Sequence, residues 1–215
     1  MDKTKYLATI LVFGSIWGVA ECVIGGPLRD INLPAGAILT GIFALGLLSL
    51  NRILFNQPGM QIGMGLIAGT LRLANPIGGC FICSAIAIMA EGILFELIWT
   101  HFSLDTKTLK PLQYSISAGI ITGYLLYTGG FIITQILTPI FSTAGFYAQN
   151  LLAYIPQILA GGLLAALIGA AILPITLKIP ELNLKLTDRL YIPTTITISL
   201  ICWLIVIANT VFLIG

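Results

Sequence analysis

The sequence predicts an all-α protein, a bundle of about seven membrane-crossing helices, and three observations support this expectation. Hydrophobic residues make up 58% of the 215 and charged residues only 8%. Apolar stretches recur in lengths of roughly 16–25 residues, which is what a ~30 Å hydrocarbon core asks of a helix. Nine of the ten Lys and Arg fall between or at the edges of those stretches.

The first span, 6–26, follows Lys3 and Lys5 and stops at Gly25-Gly26-Pro27. Its apolar run is too long, and too interrupted by Glu21, for a cleaved leader, and no small-x-small cleavage site follows, so it is expected to stay in the protein. Span two, 35–55, lies between Asn32-Leu33-Pro34 and Asn56-Gln57-Pro58-Gly59, clusters that end helices and keep polar groups in water. Span three, 61–76, carries a charge, an Asn-Pro and then two glycines in Arg72-Leu73-Ala74-Asn75-Pro76-Ile77-Gly78-Gly79. It is expected to break near its outer end, and irregular backbone at membrane depth survives only beside protein or a water-filled cavity. A cavity is therefore expected near residues 72–80. Span four covers 80–101, span five 113–136 and span six 150–175. Span seven, 191–214, follows the polar stretch from Pro180 to Arg189.

With the N-terminus inside, the inner segments hold Lys3, Lys5, Arg52, Lys107, Lys110, Lys178, Lys185 and Arg189, and the outer loops hold only Arg29. Inner loops of membrane proteins are enriched in Lys and Arg, so the expected orientation is N-terminus in and C-terminus out. Residues 1–215 read as one integral membrane domain, a six-span core over 1–175 and an inner loop with an extra span over 176–215. The net charge of +2 is accounted for by the inner loops and implies no nucleic-acid partner.

Several chemistries lack their residues. Cys80 and Cys83 form one C-x-x-C at the head of an apolar helix, with no second pair and no pair of histidines to complete a zinc site. Small polarizable packing residues are the favoured reading there, with a disulfide left open. His101 is the one histidine, read as water-facing, so no metal site is expected. No Walker A sequence, H-E-x-x-H, G-x-S-x-G or aspartate-rich diphosphate motif is present. No catalytic residue and no cofactor is assigned, and the protein is not expected to be an enzyme.

Four ionisable residues lie within spans: Glu21, Arg72, Glu91 and Glu96. A charge at the bilayer centre costs at least ~2.5–3.5 kcal/mol, so these should face a cavity or one another. Arg72 and Glu91 both fall near the midplane by helix rise, and they are expected to pair, either as a structural lock or as part of a ligand site. Glu21 shares a face with Trp17 and Gly14 and stands close to Arg29 and Asp30, which makes a polar end for a site opening outward. Glu96 is turned about 140° from Glu91 and is expected at an interface. Tyr124, Tyr127, Gln135 and Gln157 are further candidates for a cavity wall, while Tyr191 and Trp203 suit interfacial belts. Glycines spaced by four, such as Gly14 and Gly18, Gly65 and Gly69, or Gly119 and Gly123, suit close helix packing.

In size, in the Gly-rich first span Gly14-Ser15-Ile16-Trp17-Gly18-Val19-Ala20, in the outer loop Gly26-Pro27-Leu28-Arg29-Asp30 and in the break between spans three and four, the chain resembles the substrate-binding S components of energy-coupling factor transporters. The resemblance covers about residues 6–175, and the seventh span is extra to it. It implies a subunit of a prokaryotic cytoplasmic membrane that captures a vitamin or other small polar micronutrient from outside. Its partners would be a transmembrane coupling subunit and separate ATPases. Trp17, Glu21, Arg29, Asp30, Arg72, Asn75 and Glu91 then become ligand-side candidates, and Gly14 and Gly18 a partner-docking face. Two other readings stand beside it: a structural or assembly subunit of a larger membrane complex, and a membrane enzyme acting on a lipid or quinone through Glu91 or Glu21.

Overall fold

The computed structural model describes residues 2–77, 80–102, 109–141, 151–179 and 188–214, with 188, 189, 213 and 214 described by backbone alone. Gly78, Gly79, Lys107 and Lys185, which enter the sequence reading, lie outside the described residues. Among those described, the regular structure is helical: α1 (Lys3–Asp30) and α2 (Ala35–Phe55), α3 (Met60–Leu73), α4 (Phe81–His101), α5 (Leu112–Phe141), α6 (Leu151–Lys178) and α7 (Asp188–Ile214). Six of these are long and apolar enough to cross a membrane, and they make the chain an integral membrane helical bundle.

α3 is the exception. Its 14 residues rise only ~21 Å, short of a bilayer core. Pro76 bars its predecessor Asn75 from helical geometry, so the helix stops at Leu73 and the chain runs on through Asn75 to Ile77 without regular structure. The expected break is thus present, about one turn earlier than the end of the span at 76. The turn at the other end of α3 follows its residue types: Asn56 ends α2 at φ 44° and Gly59 opens α3 at φ 80°, both left-handed positions that Asn and Gly adopt most cheaply.

α1, α3, α4, α5 and α6 follow one another around the bundle, α2 packs on α6 and closes back toward α3, and α7 lies outside on α1. Small residues set the close crossings, where lipid supplies no hydrophobic drive and contact must come from backbone approach. At the α3–α4 crossing, a Cβ on Gly65 would stand 3.1 Å from the Gly92 Cα. At the α5–α6 crossing, one on Gly123 would stand 2.6 Å from the Ala165 carbonyl oxygen.

Gly14 and Gly18 belong to the same set, which corrects their assignment to a partner-docking face. Both are buried. A Cβ on Gly14 would sit 2.7 Å from the Ile67 Cβ, and one on Gly18 would sit 2.9 Å from the Leu71 Cβ, so α3 already occupies the face.

Tyr191 and Trp203, expected in interfacial belts, fasten α7 to α1: Trp203 Nε1 donates to Ser15 Oγ at 3.1 Å, and the Tyr191 hydroxyl lies 2.6 Å from Thr9 Oγ1. Much of the remaining α7 surface is exposed and apolar, Leu200 and Leu204 among it, as suits a helix facing lipid on most sides.

Candidate functional site

A cavity of about 580 Å³ opens between α1, α2, α4, α5 and α6 at the end of the bundle that carries the Ile31–Pro34 turn. Glu21, Arg29, Thr40, Ser84, Glu91, Tyr127, Thr134 and Gln157 supply its polar groups, and Ile88, Phe131 and Leu164 much of its apolar wall. The size falls in the range of small-molecule pockets, roughly 300–1,000 Å³. From Cys80 at the rim to Glu91 at the floor, the helical rise gives a depth of ~16 Å.

Two departures from α-helical winding place the carboxyl groups. α1 passes through a π-helical turn at Ala20–Ile24, which contains Glu21, and α2 through another at Thr40–Ala44, which begins with Thr40. Each widened turn rotates the residues beyond it relative to those before, and such turns recur where side chains must be aimed at a site. Glu21 is held by Trp17, whose indole Nε1 donates to Oε1 at 3.2 Å one helical turn away. Trp17 itself is fully buried. The expected shared face of Trp17 and Glu21 is therefore present, with Trp17 fixing the carboxylate from behind rather than lining the cavity.

Glu91 stands on the floor. It is 5% exposed, its Oε1 accepts from Thr40 Oγ1 at 2.6 Å, and its Oε2 is buried with no hydrogen-bond partner among the described residues. Glycines make room around it. Gly130 on α5 leaves the space into which a Cβ would bring contact with the Glu91 Cγ at 3.3 Å. Tyr127, one turn away, lays its ring between Gly36 and Gly161, where an added Cβ would meet ring atoms at 3.4 Å and 2.5 Å. The Tyr127 ring thus becomes a wall of the cavity beside Glu91.

The expected pairing of Arg72 with Glu91 does not occur. Arg72 is 1% exposed, and its guanidinium turns to the broken end of α3, donating to the Asn75 carbonyl at 2.9 Å and the Ile77 carbonyl at 3.0 Å. The irregular segment after the helix end has carbonyls without regular backbone partners, and the guanidinium satisfies two of them while its charge complements the dipole of the helix C-terminus. Asn75, fully buried, completes this knot by accepting the Ile77 N–H at 3.3 Å. Arg72 and Asn75, expected on the ligand side, therefore do not line the cavity. Asp30 is exposed and also lies outside the cavity wall, whereas Arg29 reaches the rim, with its guanidinium folded over Gly25.

Of the secondary candidates, Tyr127 and Gln157 line the cavity, while Tyr124 packs on Gly162 and Gln135 is buried elsewhere. The cavity meets the expected region at Cys80, not at residues 72–77. Cys80 and Cys83 are joined by a disulfide at its rim, with Cα atoms 5.3 Å apart, which corrects the reading of these two as packing residues. Thr40, Ser84, Phe131 and Thr134 do not stand out in the sequence. Thr40, Ser84 and Thr134 are single hydroxyls within apolar helices and Phe131 is one aromatic residue among several, and such residues are common there.

Below Glu91 the bundle is closed by Leu45, Leu48, Phe95, Trp99 and Leu126, all buried, with the Phe95 and Trp99 rings stacked at 4.7 Å. Beyond that plug lies a second polar cluster. Glu96, expected at an interface, is instead 9% exposed and bound to Arg52 Nη1 at 3.1 Å, while Gln61 Nε2 donates to Asn51 Oδ1 at 3.1 Å. Cysteines, histidines and carboxylates form no cluster suited to a metal among the described residues.

The architecture defines a class: a membrane-embedded helical bundle with a deep acidic cavity open at one end and sealed at the other. No family model, curated protein or solved structure matches the chain, so no narrower membership is shown.

Proposed function

We propose that the chain is the solute-binding part of a membrane uptake system, taking a small polar micronutrient into the cavity from outside, in the manner of an S component of energy-coupling factor transporters. The observation that supports this most is the closed-bottomed cavity itself. It offers hydroxyls, an amide, two carboxyls and an arginine inside an otherwise apolar bundle, where polar groups are costly unless they serve a ligand or a path. In this reading α3 and its following segment complete a seventh crossing. The Lys and Arg of the loops support an N-terminus in the cytoplasm, with the cavity opening on the outer side of a prokaryotic cytoplasmic membrane. Energy would come from a coupling subunit and separate ATPases, since the sequence holds no phosphate-binding loop.

Native mass spectrometry of gently extracted protein tests the reading, together with thermal unfolding against a panel of vitamins, cofactor precursors and amines. A bound small molecule, or a panel member that raises the unfolding temperature, is the expected result. A ligand-free chain held in stoichiometric complex with other integral subunits, unmoved by any panel member, would replace it with an assembly role.

A further inference from the structure

The floor of the cavity holds a carboxyl group that no basic side chain of the described residues faces. Glu91 is buried, one of its oxygens is satisfied by Thr40 and the other by nothing, and among the described residues no Lys, Arg or His stands within ion-pair distance of it. The cations near the cavity are directed elsewhere. Arg72 is turned to the carbonyls of Asn75 and Ile77, Arg29 sits at the rim over Gly25, and Arg52 lies beyond the apolar plug on Glu96. A carboxylate with an unpartnered oxygen in a low-dielectric site strongly favours an incoming positive charge that also donates hydrogen bonds. The wall beside it is aromatic, with Tyr127 and Phe131 6.2 Å apart between centroids, and aromatic faces attract cations as well.

We infer that the solute taken by this cavity carries a protonated amine or comparable nitrogen cation, which binds at the floor with an N–H on the Glu91 carboxyl group and the Tyr127 ring alongside. The remainder of the molecule extends toward the rim, where Arg29 meets an anionic or polar group. This inference rests on the solute-binding reading of the cavity and adds the charge of the solute and its orientation there. Glu21, nearer the rim and already held by Trp17, is the second carboxyl on that route.

The test uses matched probes that differ in the cation alone: tyramine and tryptamine against their alcohol counterparts tyrosol and tryptophol. Detergent-solubilised full chain is titrated by calorimetry and thermal unfolding, with Glu91→Gln and Asp30→Asn alongside. The amines should bind and the alcohols should not. Glu91→Gln should weaken amine binding ~30-fold or more, the usual scale for removing one member of a buried charged pair, whereas Asp30→Asn, which removes an exposed carboxylate outside the cavity wall, should leave it intact. Thr40→Val, which keeps the carboxylate, should weaken it less than Glu91→Gln. Alcohols binding as well as amines would overturn the inference even if no variant could be purified, and so would an unchanged amine affinity in a folded Glu91→Gln protein. Binding only of uncharged or anionic panel members would overturn the inference and leave the uptake reading standing. No binding of any solute would remove both.

Discussion

Gly161→Ala should be among the more damaging one-methyl changes in the cavity wall, and its cost can be worked from the structure. The added Cβ would stand 2.5 Å from Tyr127 Cε1 and 2.6 Å from both Cζ and the hydroxyl oxygen. Carbon atoms rest at ~3.5–4.0 Å, so the ring must retreat by ~1 Å or the helices must part. On its far edge the ring faces Gly36, where the space is open only because that residue also lacks a Cβ. Overpacking of this kind costs typically 1–3 kcal/mol, and ~2 kcal/mol is the expected value here. Unfolding in mixed micelles measures it, with Tyr127→Leu as the second arm of a double-mutant cycle. In the Tyr127→Leu background the clash is gone, so the cost of Gly161→Ala should fall below ~0.5 kcal/mol, leaving a coupling of ~1.5 kcal/mol. Gly26→Ala is the control, since nothing lies within 4 Å of its added methyl, and helix propensity alone should make it neutral or stabilising by up to ~1 kcal/mol. An equal cost of Gly161→Ala with and without Tyr127 would refute the placement of that ring.

Three further outcomes follow from the same structure. Arg52→Met should destabilise by about 3 kcal/mol because it strands the buried Glu96, and adding Glu96→Gln should recover most of that loss; both are read by denaturant unfolding. Trp203→Phe should cost ~1 kcal/mol through loss of the donor to Ser15, and Ser15→Ala should add little in that background, since the bond between α1 and α7 is already gone. Reduction of the purified chain should add two hydrogen masses at Cys80 and Cys83. Because the loop they close is so short, replacing both by Ser should lower stability by only ~2 kcal/mol on the chain-entropy account, measured by thermal unfolding.

The helical bundle is legible in the sequence because its cause acts locally. Runs such as the one through α6 are apolar over their whole length, and lipid leaves a chain of that composition little choice but to satisfy its backbone within a helix. The break after α3 is legible for the same kind of reason, since Pro76 constrains Asn75 whatever surrounds them. Helix rotation is not. Gly14 and Gly18 announce a close approach but do not say to what, and α3 of this chain and a separate subunit look alike in the sequence. Trp203 and Tyr191 read as interfacial residues because aromatic residues concentrate there, yet their partners Ser15 and Thr9 lie more than 180 positions away.

The candidate site shows the same division more sharply. Glu21 and Glu91 stand out because an ionisable residue in a span is costly wherever it points, and both reach the cavity. Arg72 stands out for that reason too, and depth counted along the sequence matches it with Glu91. The match fails because depth is one coordinate of three. A nearer demand, the open carbonyls at Asn75 and Ile77, claims the guanidinium before any carboxylate across the bundle can. That local claim is what leaves Glu91 with an oxygen to offer. The π-helical turns at Glu21 and Thr40 decide the rest, because each shifts the phase of its helix by a fraction of a turn that no apolar periodicity records. Without the turn in α2 the Thr40 hydroxyl would meet a different neighbour, and the floor of the cavity would have a different chemistry.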